Sequence, residues 1–350
     1  MTTTLLTVHE RSFLGGSLIR QLRNYCKTPP DAALVIAVES TDPPLRSDAI
    51  PTSILLHRSP YNILKNTDQS DLYGYPTDLT RGIIPANNFS PVEALSAGCI
   101  SIEADVWLFD DTLLVGHDLS SLTKSRTLKS LYVDPILDVL RRQNPRSPYI
   151  TGETRNGVYD TDPFQTLYLF IDVKTSGPET WPHVVAALEP LRAANYLTTL
   201  RNNDTLTTGP VTVIGTGNTP LSLVGPVPDR DYFYDGPLAD LQKEGFRDIT
   251  KYISPIASTN FAAAIGVDSI TFPPGGGENK GEKDPSWLNS SQLGTLRGQI
   301  EAAKKKGIGA RYWGTPGWPV RERNEVWRTL LKEGVVLLNA DDLEGVQEYF

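Results

Sequence analysis

Two apolar segments of the chain carry charged side chains that could take part in catalysis or metal binding, because their spacing places them on one face of a strand. The first segment contains Glu103 and Asp105, two residues apart, and the second contains Asp172 and Lys174 at the same spacing. Side chains two apart on a strand share a face. Each segment is therefore predicted to be a strand with a polar pair on one face and apolar residues on the other.

Three carboxylates in one place repel one another, so Glu103, Asp105 and Asp172 would need a positive partner if their strands are neighbours. A hard dication bound by oxygen is the simplest partner, which predicts Mg²⁺, with Ca²⁺ also suitable. Alternatively, Lys174 neutralises Asp172, and the other two acids bind backbone groups or arginines. Spacing alone leaves both readings open.

A histidine follows the next short apolar run, in the order Gly116, His117, Asp118. Exposed at the end of a strand, His117 could act as a general acid or base. A structural histidine is the alternative. Asp118 could orient the imidazole or cap the turn that follows.

Two other segments could contact a ligand. The run at 215–220, Gly-Thr-Gly-Asn-Thr-Pro, could cradle a phosphate with backbone N–H groups, or could be a tight turn at the end of a strand. The aromatic residues Tyr312 and Trp313, with Trp318 nearby, could stack on a substrate or pack in the core.

Short apolar runs alternate with amphipathic segments in the part of the chain that must position these residues. The predicted strands are 100–107, 113–115, 167–175, 211–214, 269–272, 308–313 and 335–339, with weaker runs at 82–85 and 231–234. The predicted helices are 135–143, 181–196, 291–306, 320–332 and 341–350. Such alternation predicts an α/β fold with parallel crossovers, best matched by a TIM-like (β/α)8 barrel with its chemistry at the carboxyl ends of the strands. An open doubly wound sheet is the alternative.

The domain organisation follows from turn formers. Residues 1–74 are rich in proline and show little periodicity, which predicts a partly irregular N-terminal arm. Residues 75–350 are predicted to form the single barrel domain.

Composition narrows the functional classes. With 33 Lys and Arg against 41 Asp and Glu, the chain has a net charge of −8, which argues against a nucleic-acid partner. Two cysteines and four dispersed histidines make a disulfide framework and a zinc site improbable. No apolar run is long enough for a membrane span, and no secretory signal is recognisable. We therefore expect a cytoplasmic protein with a small-molecule substrate, and the oligomeric state stays open.

The segments 93–99, 103–107 and 116–118 together resemble the phospholipase C-like phosphodiesterase superfamily, which includes glycerophosphodiester phosphodiesterases and sphingomyelinase D. A closer resemblance, over roughly residues 75–343, is to the fungal family named altered inheritance of mitochondria protein 6. The runs that carry this closer resemblance are 75–85, 211–220, 297–300 and 310–313.

The resemblance implies a TIM-like barrel, a divalent cation on Glu103, Asp105 and Asp172, and His117 as one of two catalytic histidines. Lys174, or a water molecule, would then do the work of the second histidine, because the sequence departs from the family at that place.

The departure lies shortly before the helix expected around the Glu-Ala-Leu run at 93–95. The family carries its other histidine there in a His-Asn-Asp-Tyr block, whereas this chain has Ala86 followed by Asn87 and Asn88. We expect the two asparagines, with Tyr312 and Trp313, to contact the substrate. A second departure is Gly314, which stands where the family usually has an acid.

Three functions remain open at this stage. The first is a metal-dependent enzyme acting on a phosphodiester or a phosphorylated small molecule, with His117 as acid or base. The second is a barrel turned to a metal-assisted lyase, cyclase or dehydratase step on a small metabolite, as in secondary metabolism. The third is a non-catalytic relative that binds a ligand at the same place.

Overall fold

The computed structural model describes residues 62–66, 91–96, 98–149, 152, 154–160, 162–266 and 287–349. The predicted strands at 82–85 and 269–272 lie outside these residues. Within the described chain, none of the helices is long and apolar enough to cross a membrane.

The described residues form twelve strands and nine α-helices. The strands are β1 (Asn62–Asn66), β2 (Ser101–Phe109), β3 (Thr112–Val115), β4 (Leu167–Val173), β5 (Thr199–Arg201), β6 (Thr205–Thr207), β7 (Val211–Gly217), β8 (Tyr232–Tyr234), β9 (Gly236–Pro237), β10 (Ile256–Asn260), β11 (Gly309–Trp313) and β12 (Leu337–Ala340). The helices are α1 (Pro91–Ser96), α2 (Asp134–Gln143), α3 (Gly177–Ala187), α4 (Glu189–Ala193), α5 (Leu221–Val224), α6 (Phe261–Ile265), α7 (Ser290–Lys305), α8 (Val320–Glu333) and α9 (Leu343–Tyr349).

One mostly parallel sheet organises the fold. Its hydrogen-bonded order is β8-β7-β4-β2-β1-β12-β11-β10-β9, with β3 paired antiparallel to β2, while β5 and β6 form a separate hairpin. The two end strands, β8 and β9, are separated in the chain by Asp235 alone. The α/β class and the parallel order match the prediction, although the described ladders leave the path open between β8 and β9.

The strands of this sheet have two different faces. On β4, Leu167, Leu169, Ile171 and Val173 belong to the large core that also contains residues of α2, α3, α7 and α8. Phe170 lies on the other face, in a second cluster. We call the face that carries Phe170 the inner face. Its cluster consists of Phe170, Leu200, Ile214, Phe233, Ile256 and Leu337.

Local sequence explains where several elements begin and end. The predicted helix at 181–196 is divided into α3 and α4 around Leu188, because Pro190 has no N–H to continue the ladder of α3. Helix α7 begins with a capping box in which Asn289 and Gln292 satisfy each other's backbone N–H groups. Strand β10 was not predicted, since its sequence Ile-Ala-Ser-Thr-Asn lacks a clear apolar run.

Strand β1 comes from the segment predicted to be an irregular arm. It pairs in parallel with β2 on one side and β12 on the other. The predicted boundary between residues 74 and 75 itself stays a prediction.

Candidate functional site

Strands β2 and β4 bring the three predicted acids together. The strands are parallel neighbours, and Asp105 lies opposite Asp172 in the register. Glu103 is two residues earlier on β2, while the intervening Ala104 faces the large core. One carboxylate oxygen of each acid lies within 4.8 Å of those of the other two. The alternation of polar and apolar residues in the two strands therefore places the three acids together on one face, as expected.

Lys174 follows β4 and joins two of these acids. Its Nζ lies 2.6 Å from Asp172 Oδ2 and 3.0 Å from Asp105 Oδ1. Burial lowers the pKa of Lys174, but the two carboxylates outweigh burial and raise the pKa above its ordinary value. In this arrangement the lysine is a cation and a hydrogen-bond donor, and it is poorly suited to act as a base.

His117 reaches the acids from the hairpin formed by β2 and β3. Its Nδ1 lies 3.2 Å from Asp105 Oδ2, and about half of its side chain is exposed whereas Asp105 is buried. Both backbone polar groups of Gly116, the residue before the histidine, are hydrogen-bonded. The Gly116 N–H donates to Asp105 O, and the Trp107 Nε1–H donates to Gly116 O at 2.6 Å. The backbone thus holds the imidazole beside its acid.

Asp118 caps the turn that follows it, which is the second of the two roles expected from the sequence. Its side chain accepts from the Ser120 N–H at 3.0 Å and from the Ser120 hydroxyl, capping a short 3₁₀ turn at 119–121. The hydrogen bond from the Ser120 side chain is the main cause of a lowered pKa of the Asp118 carboxyl. The acid beside the imidazole is therefore Asp105.

Arg311 contacts the remaining acid and was not predicted from the sequence. Its Nη2 lies 2.6 Å from Glu103 Oε2 and 2.7 Å from Asn339 Oδ1, and the arginine is only 3% exposed. Burial is the largest influence on the pKa of Glu103 and raises it, although the charges of Arg311 and Lys174 oppose the rise. A single charged residue in the otherwise apolar β11 was the available signal.

Asp235, between β8 and β9, is a fourth acid near this group, and its side chain is buried. Its Oδ2 lies 3.9 Å from Arg311 Nη1. Burial raises the pKa of Asp235 to about 7, against the lowering influence of Arg311 and of hydrogen bonds from Ser258 and Thr216. The arginine therefore lies between two buried carboxylates, Glu103 and Asp235.

The glycine-rich run at 215–220 forms the end of β7 and a turn, the second of its two expected readings. Gly217 has a φ of +62°, and a Cβ atom there would overlap Asp172 Oδ1. Glycine is therefore required because Asp172 occupies the space that a side chain would need.

Replacing that glycine is expected to disturb the acids. In Gly217→Ala, Asp172 must move away from the added methyl group, and we expect Mg²⁺ affinity to fall about 10–100-fold, as for other residues that orient metal ligands. Titration calorimetry with Mg²⁺ measures the change. Gly298→Ala on α7 is the matched control, because no atom lies within 4 Å of its added methyl group. Equal affinities in the two variants would contradict the expectation.

The structure separates the two aromatic residues predicted to bind substrate. Tyr312 is fully buried on the core side of β11, where its hydroxyl donates to Gln299 Oε1 at 2.8 Å and its ring packs edge-on against Phe261. This position gives no support to contact with a ligand. Trp313, at the carboxyl end of β11, is 45% exposed and remains a candidate.

The structure does not describe the remaining predicted site residues. Asn87 and Asn88, as well as Ala86, fall outside the described residues. Of the two histidines in the described chain, His183 is on α3 and lies 3.8 Å from Asp111, the last residue before β3. Among those two, only His117 contacts the acids.

The donor set fits the dication that the resemblance implies. Three carboxylate oxygens from adjacent strands converge closely enough to share one ion, and oxygen is the donor that Mg²⁺ and Ca²⁺ prefer. A cation there would share Asp105 and Asp172 with Lys174, and Glu103 with Arg311. The ion pairs expected under the alternative hypothesis, in which Lys174 and an arginine neutralise the acids, are thus also present.

Comparison with known proteins defines the class. The family model of the AIM6-like phosphodiesterase domain matches residues 87–235, a range that includes the three acids, His117 and Lys174. The part of the chain that carries the acids therefore resembles a phosphodiesterase-like domain. This class is consistent with the phospholipase C-like superfamily.

Similar proteins identify the family more narrowly. The altered inheritance of mitochondria protein 6 homolog of Arthroderma benhamiae is 55% identical over 305 residues, which are 83% of this chain and 91% of that protein. The proteins named altered inheritance of mitochondria protein 6 in Eremothecium gossypii and Lachancea thermotolerans are 31% and 32% identical, over 74% and 73% of this chain. The matches cover 65% and 61% of those two proteins. The chain belongs to the altered inheritance of mitochondria protein 6 family.

Proposed function

We propose that this chain is a divalent-metal-dependent phosphodiesterase acting on a phosphodiester or a phosphorylated small molecule. The observation that carries the proposal is the convergence of Glu103, Asp105 and Asp172, with His117 hydrogen-bonded to one of them. The family, whose domain is described as phosphodiesterase-like, supports the same reaction class.

Glu103, Asp105 and Asp172 would hold the cation, with Mg²⁺ expected and Ca²⁺ as the alternative. When bound, such a cation stabilises negative charge on phosphoryl oxygens. Lys174 adds a second positive charge next to the acids, because its ammonium lies 2.6 Å and 3.0 Å from two of them. Both charges favour an anionic substrate at this end of the strands.

His117 is the group that moves a proton in the proposed reaction. Nδ1 faces Asp105, which orients the ring and leaves Nε2 for the substrate. As a water molecule attacks phosphorus and the ester P–O bond breaks, His117 Nε2–H protonates the leaving oxygen. A second water molecule accepts the proton that the attacking water loses. About half of the His117 side chain is exposed, which leaves room for a substrate to approach the ring.

The proposal includes closure of the sheet into a TIM-like barrel. Two observations support closure. Asp235 N–H donates to Gly215 O on the β7 side, and the next residue, Gly236, pairs with Ala257 of β10. The inner-face cluster draws its apolar side chains from β4, β5, β7, β8, β10 and β12, as the filled interior of a barrel requires.

One sequence observation favours a second function. Ala86 replaces the family's other histidine, so the site has lost one proton-transfer group that diester hydrolysis uses in this superfamily. The same acids, with His117 and Lys174, could instead assist a lyase, cyclase or dehydratase step in which one group moves a proton.

The deciding experiment is hydrolysis of soluble diesters by the full chain. We expect turnover of bis(p-nitrophenyl) phosphate or of a glycerophosphodiester with Mg²⁺, its loss with a chelator, and its return when Mg²⁺ is restored. Mg²⁺ binding by calorimetry with no diester turnover would contradict the phosphodiesterase proposal and favour the second function.

A further inference from the structure

We propose that Arg311 is a positioning residue that fixes Glu103 for cation binding. The inference rests on the proposed function, because it concerns the same acids. It adds a requirement from β11, a strand three positions from β2 in the sheet, whose Arg311 is 208 residues away from Glu103 in the chain.

Arg311 is held by polar groups from several strands. Besides Glu103, its guanidinium donates to Asn339 on β12, through Nη2 at 2.7 Å and Nε at 3.3 Å. Nη1 lies 3.4 Å from Ser258 Oγ on β10 and 3.9 Å from Asp235 Oδ2. With four polar partners, the guanidinium is restricted to one orientation in the inner face.

The face of the guanidinium is also restrained. Its Cζ lies 4.8 Å from the centre of the Phe170 ring on β4, the strand that supplies Asp172. Since Phe170 is paired with Glu103 in the β2–β4 register, the ring, the arginine and the acid form one packed unit.

This packing determines where the carboxylate of Glu103 can lie. Glutamate has three side-chain torsions, and an unrestrained carboxylate would occupy several rotamers. The 2.6 Å contact between Arg311 Nη2 and Glu103 Oε2 holds this oxygen at the guanidinium and so restricts where the other carboxylate oxygen can lie. A carboxylate placed in advance loses less conformational freedom when it binds a cation.

Arg311 also has an opposing effect, because its positive charge repels a dication. Removing the arginine would relieve repulsion and would also release Glu103. The proposal states that the loss of orientation is the larger effect, since residues that orient metal ligands typically contribute about 10–100-fold in metal affinity.

The test compares two buried arginines. Arg311→Met removes the contact to Glu103, and Arg323→Met is the matched control. Arg323, on α8, is also 3% exposed, pairs with Asp342 at 2.5 Å and lies 4.7 Å above the Trp327 ring. Both variants lose the ion pair and the ring contact of a buried arginine. We expect both to lose thermal stability, and Arg311→Met to lose more, because Asp342 is 46% exposed whereas Glu103 is buried.

Only Arg311→Met is expected to weaken Mg²⁺ binding, by about 10–100-fold in titration calorimetry, with Arg323→Met equal to the wild type. Arg311→Lys keeps the charge and loses the fork that spans Glu103 and Asn339. If Arg311→Met does not fold, a weakened Mg²⁺ affinity in Arg311→Lys supports the proposal, and an unchanged affinity overturns it.

Unchanged or tighter Mg²⁺ binding in folded Arg311→Met would show that Arg311 acts only as a competing charge, and would overturn the proposal. The same holds if the wild type binds no Mg²⁺. A wild type that binds Mg²⁺ but hydrolyses no diester contradicts the proposed function alone, because the role of Arg311 is measured by affinity and not by turnover.

Discussion

Asp105→Asn is expected to weaken cation binding by at least about 100-fold and to lower turnover with it. Asp105 is buried, supplies one of the three converging oxygens, and contacts both Lys174 Nζ and His117 Nδ1. An amide in its place removes a negative charge from the donor set and replaces one of the two acceptor oxygens, which face Lys174 and His117, by an NH2 donor. Because residues that only orient ligands contribute about 10–100-fold, a direct ligand is expected to cost at least 100-fold in Mg²⁺ affinity.

The matched control is Asp231→Asn. Asp231 is also buried and also paired with a cation, since Arg192 Nε lies 2.6 Å from its Oδ2, but it makes none of the contacts of the acidic group. Calorimetry with Mg²⁺ and diester assays should place Asp231→Asn near the wild type. Mg²⁺ affinity retained in a folded Asp105→Asn variant would contradict the assignment of Asp105 as a ligand.

His117→Ala is expected to separate chemistry from cation binding. The imidazole is beside Asp105 but is not one of the three oxygen donors, so Mg²⁺ affinity should stay close to that of the wild type. Turnover should fall by about 10²–10⁴-fold, the usual contribution of a positioned acid or base. Steady-state rates at saturating Mg²⁺ measure the loss.

His183→Ala is the comparison for this variant, because His183 also lies beside an aspartate, Asp111, but on helix α3. We expect its rate to be unchanged. A His117→Ala protein that retains the wild-type rate would remove His117 from the mechanism and leave the acids as a cation site of another kind.

The acids could be predicted from the sequence because a buried parallel strand records its two faces in a period of two. In β2 and β4 the core-facing residues are all apolar, so Glu103, Asp105 and Asp172 stand out on the other face. The position of His117 was also local information, since a short hairpin connects it to Asp105. Helix α7 was predicted to within one residue at each end, because its apolar residues recur at a helical period and a glycine follows its last turn.

The partners of the acids could not be predicted, because they depend on which strands lie opposite one another. Arg311 and Asn339 are single polar residues in short apolar strands, and nothing nearby in the chain indicates that they meet Glu103. Gly217 reads as an ordinary turn glycine until Asp172 is placed against it. Tyr312 faces the large core because its neighbour Arg311 faces the inner side of β11. The sequence pattern of β11 did not show which of the two residues would take which face.

The separation along the chain divides the site into two parts that assemble differently. Asp105 and His117 are 12 residues apart, so bringing them together closes a short loop at low entropic cost. Glu103 and Arg311 are 208 residues apart, and their contact requires nearly the whole domain. A partly folded chain can therefore already orient its proton donor, whereas the oxygens that would hold a cation come into place only when the last strands have joined.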